Sequence, residues 1–149
     1  MIVDKIKAKY IQWLSAEDMH KQSLSWISEM NFIKDEQHFF DDLITAYTRK
    51  LIETKKFAAN KRLIDSVNES RRKLKELIHK IVVHENQLEI MVDGVDQKEE
   101  EKAYKDMHRE LIDEVSHYLN DYRILKRQLF SMIKDIMKKE KALNLIAKK

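Results

Sequence analysis

Residues 97–146 read QKEEEKAYKD MHRELIDEVS HYLNDYRILK RQLFSMIKDI MKKEKALNLI. Apolar side chains recur there at Tyr104, Leu111, Val115, Tyr118, Tyr122, Leu125, Leu129, Met132, Ile136 and Leu143. Steps of three, four and seven residues place all of them on one side of an α-helix. Just before the stretch stands Asp96, a side chain that caps a helix, and Glu99, Glu100 and Glu101 follow in the first turn. Carboxylates are favoured at the positive end of the helix dipole. The spacing predicts one helix over about 97–146, much longer than the roughly 11–12 residues of an average helix.

Working backward, Asp93-Gly94 holds the single glycine of the chain and is its strongest turn signal. Before it, Leu63, Val67, Leu74, Leu77, Ile81, Leu88 and Met91 form a second stripe, which predicts a helix over about 60–92. A third stripe runs Trp26, Met30, Ile33, Phe40, Ile44, Tyr47, Leu51. Its phase breaks near residue 15, where Ser15-Ala-Glu-Asp18 reads as an N-cap with an acidic first turn, so this helix is placed at about 16–56. The join at Phe57–Asn60 carries only a weak turn signal, and one continuous helix through it is the alternative. Val3, Ile6, Tyr10 and Trp13 mark a short helical arm over residues 1–14.

The chain contains no Pro and a single Gly, whereas a sheet protein needs a turn every 8–12 residues or so. The expected fold is all-α: a single domain over 1–149, an antiparallel, coiled-coil-like bundle of three long helices with the N-terminal arm. Helices of this length would make a rod roughly 50–70 Å long. Charged residues reach 37% against the roughly 25% of ordinary domains, as a thin bundle with much surface per unit of core requires. The heptad-like stripes resemble in pattern those of spectrin-type three-helix modules, a resemblance that implies the fold class and carries no activity with it.

Several function classes lack their residues. Without cysteine there is no disulfide framework, zinc-thiolate site or thiol nucleophile. One glycine leaves no room for a Gly-rich phosphate loop. No apolar run has the length of a signal peptide or a membrane span, so a cytoplasmic protein is expected.

Charge is sorted along the chain. Residues 1–15 carry net +2, 16–46 net −5, 47–80 net +7, 81–122 net −8 and 123–149 net +7. In an up-down-up bundle these blocks gather into an acidic end and a basic end. Helix dipoles account for part of the pattern, but not for Glu85, Glu89 and Asp93 ending the second helix or Lys61 and Arg62 opening it. The blocks read as a solvated surface, as a device that orients one copy against another, or as a basic end for nucleic acid or an anionic membrane surface.

A second set of apolar residues lies off the main stripes. Phe32 and Phe39 stand seven residues apart on the first helix, roughly opposite its core face, and Val83 and Ile90 are placed similarly on the second. Aromatic side chains in such positions mark a covered patch. The N-terminal arm with Tyr10 and Trp13 is one cover; a second subunit is the other, and is the expected one, making the protein a homo-oligomer.

Helical bundles hold di-iron sites on inward-pointing Glu-x-x-His pairs. Three such pairs occur, Glu17/His20, Glu76/His79 and Glu114/His117, with Asp35/His38 a near variant. Their phases place His79, His117 and His38 away from the core. His84 and His108 instead continue inward stripes, and a hairpin about Gly94 brings them to similar heights beside Glu85. Such a cluster suits a divalent metal or a pH-sensitive layer; the plainer alternative is a hydrogen-bonded polar pair that fixes register. No catalytic constellation and no cofactor are expected. The leading expectation is a non-enzymatic, self-associating helical interaction or scaffold protein, with a hemerythrin- or ferritin-like metal-binding bundle as the alternative.

Overall fold

The computed structural model describes residues 15–53, 57–92 and 98–147. Among them the chain forms three helices and no strand: α1 (Ala16–Glu53), α2 (Phe57–Val92) and α3 (Lys98–Ala147). Together they make a three-helix, all-α bundle. Residues 1–14, where the arm is expected, lie outside the described residues, as do 54–56 and 93–97.

The start of α1 is built as its sequence requires. Ser15 Oγ accepts from the Asp18 amide at 3.1 Å, and Asp18 Oδ2 accepts from the Ser15 amide at 3.5 Å. This is a reciprocal capping box with Asp in the place of the usual Glu. The first intrahelical bond, Met19 N to Ser15 O at 3.0 Å, follows directly. α2 begins three residues earlier than expected, so Phe57–Asn60 is helix rather than turn. Ala58 and Ala59 are strong helix formers, and Asn60 is buried rather than capping. No acid occupies the first turn of α2 and no base its last, in keeping with the charge pattern that helix dipoles leave unexplained.

The bundle divides into two compact units. The first joins Met1–Ile33 with Leu74–Tyr118. Its core holds Met19, Trp26, Met30 and Ile33 of α1, Leu74, Leu77, Ile81 and Leu88 of α2, and Tyr104, Leu111, Ile112, Val115 and Tyr118 of α3. The second joins Lys34–Lys73 with Leu119–Lys149. Here Phe40 and Ile44, Val67, and Tyr122, Leu129, Met132, Ile133 and Ile136 are buried. The Phe40 ring meets Phe130 edge-on, centroids 5.2 Å apart, a favourable quadrupole arrangement. Glu36 ties α1 to α3 in this unit: its two oxygens accept from Tyr122 Oη at 2.5 Å and Lys126 Nζ at 2.8 Å.

Leu143 departs from the expected stripe, standing 67% exposed. Helical phase sets only the direction in which a side chain points; burial also needs a facing element at that height. The charge sorting persists at the level of the units. The first carries ten Lys and Arg against sixteen Asp and Glu, net −6; the second carries nineteen against ten, net +9.

Candidate functional site

The most polar part of the core lies in the first unit. Ser23, His84, Glu85 and His108 are all buried there. The 3.6-residue period brings His84 inward with Leu77, Ile81 and Leu88, and brings His108 inward with Tyr104 and Leu111. Their rings meet, with His84 Nε2 and His108 Nδ1 3.0 Å apart. His108 Nε2 lies 2.7 Å from Gln22 Oε1.

These contacts decide where the protons sit. Gln22 Oε1 is a carbonyl and only accepts, so His108 Nε2–H donates to it. In the neutral ring His108 Nδ1 is then an acceptor, and His84 Nε2–H donates to it. The chain ends at His84 Nδ1, a buried lone pair without a partner. Aromatic rings enclose the relay: Trp26 stacks on His108 at 4.9 Å between centroids, and Tyr104 stacks on His84 at 3.9 Å, nearly parallel.

Burial in this stack pushes His84 down to about 4 from 6.5. Burial, with the neighbouring His84 adding to it, pushes His108 down to about 4 as well. Burial takes from an imidazolium the water that would solvate it, a loss that the aromatic faces do not make good. Both rings are therefore neutral at neutral pH.

Glu85 turns away from the pair. Its Oε1 meets His20 Nδ1 of α1, while Oε2 is buried without a partner. Its charge acts instead on Tyr104, whose hydroxyl is held above its ordinary range, first by burial and then by Glu85. Ser23 Oγ lies toward the Tyr104 hydroxyl, but neither reaches a partner at hydrogen-bonding geometry. A buried hydroxyl without a partner carries a desolvation cost that its removal relieves. Tyr104→Phe is thus expected to raise stability by roughly 1 kcal/mol in urea unfolding with an unchanged slope. A loss of that size instead would mean that the hydroxyl is hydrogen-bonded in solution.

Of the expected site residues, the structure brings His84 and His108 together and gives Glu85 to His20. His38, His79 and His117 are exposed, on the outward faces their phases indicated. Among the described residues no group of three or more His, Asp or Glu gathers as metal ligands. Gln22 and the stacking roles of Trp26 and Tyr104 are not among the expected site residues. Gln22 stands four residues before Trp26 and Tyr104 four before His108, so each pair shares a helix face, a signal that was present but not specific.

Three residues of the outer apolar set can be described. Phe32 is 65% exposed, Phe39 56% and Val83 41%; the Ile90 side chain lies outside the described residues. Phe39 is not isolated, since its ring lies 6.1 Å from that of Phe40. Among the described residues no helix is long and apolar enough to cross a membrane. No protein-family model, no curated protein and no solved structure matches the chain.

Proposed function

We propose that this chain is a non-enzymatic helical interaction protein that self-associates through apolar side chains on its outer helix faces. The observation that carries the reading is the pair Phe32 and Phe39. Each ring is more than half exposed on α1, Phe32 in the first unit and Phe39 in the second, and exposed aromatic side chains of this kind are what a partner helix covers. The buried histidine relay has a role in this reading that is architectural: it sets the height at which α1, α2 and α3 meet in the first unit.

In this reading the helices run up, down and up, and pairings inside each unit support it. In the first unit Lys80 pairs with Glu114 and His84 with His108, so numbers rise on α2 as they fall on α3. In the second unit Glu36 meets Tyr122 and Lys50 meets Glu140, so α1 and α3 rise together. These pairings support the antiparallel order.

Sedimentation equilibrium at tens of micromolar tests the function. A homo-oligomer whose affinity falls with salt is the expected result. A strict monomer at low salt would remove self-association.

A further inference from the structure

Two exposed stripes in the second unit share one repeat and have opposite charge. On α1, Asp35, Phe39, Asp42 and Ala46 are all exposed and follow one another at steps of four, three and four. On α3, Arg127, Phe130, Lys134, Met137 and Lys141 are all exposed at steps of three, four, three and four. Alternating three- and four-residue steps are the seam of a coiled coil, which keeps one line of side chains facing a neighbour. Neither stripe is buried in the core of its own unit, which uses Gln37, Phe40 and Ile44 on α1 and Leu129, Met132, Ile133 and Ile136 on α3; Phe39 and Phe130 touch that core through Phe40 while staying about half exposed.

Each stripe alternates apolar and charged residues. On α1 the charges are both acidic; on α3 all three are basic. Among the described residues the acids of the first are not joined to the bases of the second. Ion pairs that do link α1 to α3 in this unit include Lys126 with Glu36 and Lys50 with Glu140. Asp41, beside the stripe, is taken by Arg71 of α2. Asp35, Asp42, Lys134 and Lys141 make no ion pair with any described residue.

We infer that the acidic stripe Asp35–Phe39–Asp42 of α1 packs against the basic stripe Phe130–Lys134–Met137–Lys141 of α3 in a second copy of the chain. This inference rests on the self-association reading and assigns its surface. Phe39 meets Phe130 and Met137 at the apolar positions, and the aspartates meet the lysines. A second copy offers both stripes, so each molecule can give and receive the same contact. The charges select which helix meets which, and the rings supply most of the affinity.

A charge exchange tests the assignment. Asp35→Lys/Asp42→Lys and Lys134→Glu/Lys141→Glu each place like charges across the seam, and each is expected to weaken self-association by roughly 10- to 100-fold. Mixed one to one at low salt, the two variants are expected to recover affinity within about threefold of the wild type. All substituted side chains are exposed, and matching helicity and melting temperature check that the folds are kept. If a reversed variant fails to fold, Asp35→Asn/Asp42→Asn is expected to weaken association and flatten its salt dependence. Variants that associate as the wild type does, or a mixture that stays monomeric, would overturn the assignment while leaving self-association standing. A wild type that never associates removes both.

Discussion

Acidification from neutral pH to about 4 is expected to destabilise the fold by several kcal/mol, through His84 and His108. Each ring titrates near 6.5 when unfolded and near 4 in the folded chain. The folded state therefore binds fewer protons than the unfolded state between these values. The stabilisation is full above pH 6.5 and is lost as pH falls toward 4, where both states are protonated. A displacement of this size corresponds to about 3 kcal/mol for one ring. The two rings share a hydrogen bond, so their contributions do not simply add.

The geometry gives the same sign independently. A proton added to His108 Nδ1 removes the acceptor of the His84 Nε2–H bond and sets two donors 3.0 Å apart. The groups around the pair are Gln22 and Trp26 from α1 and Tyr104 from α3, which contact it, with Ser23 of α1 near Tyr104 and Glu85 of α2 turned toward His20. The one carboxylate among them is engaged by His20 and does not hold either ring charged. Urea unfolding at a series of pH values checks the slope. The His84→Phe/His108→Leu variant is expected to unfold with a much flatter profile between 6.5 and 4, because the groups that titrate there are gone. A profile as steep as that of the wild type would assign the acid sensitivity elsewhere.

The second large effect separates two neighbouring phenylalanines. Phe40 is 2% exposed and packs edge-on against Phe130, so Phe40→Ala is expected to cost about 3–5 kcal/mol as transfer and cavity terms combine. Phe39 is more than half exposed, and Phe39→Ala is expected to cost less than about 1 kcal/mol in the monomer. On self-association the order reverses: Phe39→Ala weakens it with the fold intact. Unfolding measured below the dissociation concentration, beside sedimentation above it, distinguishes the two effects. Equal losses of stability at the two positions would mean that Phe39 is buried within the monomer.

Much of this architecture is legible from local pattern. Ser15 and Asp18 announce the cap because the residues that bond are three apart in the chain. The stripes on α1, α2 and α3 announce the core because burial on a helix repeats every 3.6 residues. His84 and His108 are legible the same way, each continuing an apolar stripe, and the turn signal at Gly94 implies similar heights for them. Phe32 and Phe39 were legible as outliers from their own stripe. These inferences use only information local to one helix or one hairpin.

Other features depend on which surfaces meet. Nothing near Glu85 in sequence indicates that His20, 65 positions away, takes it from the histidine pair. The proton order of the relay follows from Gln22, which is 86 positions from His108. Leu143 has the right phase and is still exposed, since phase assigns a direction and only a facing element assigns burial. The complementary stripes on α1 and α3 likewise emerge only once the core has claimed Phe40 and Leu129 and left Asp35, Phe39, Lys134 and Met137 outside. Composition and periodicity determined by themselves that this chain is helical and which faces turn inward, because those properties are set residue by residue along one helix. Tertiary packing decided which polar groups meet and which charges remain unpaired, because those depend on side chains brought together from distant parts of the chain.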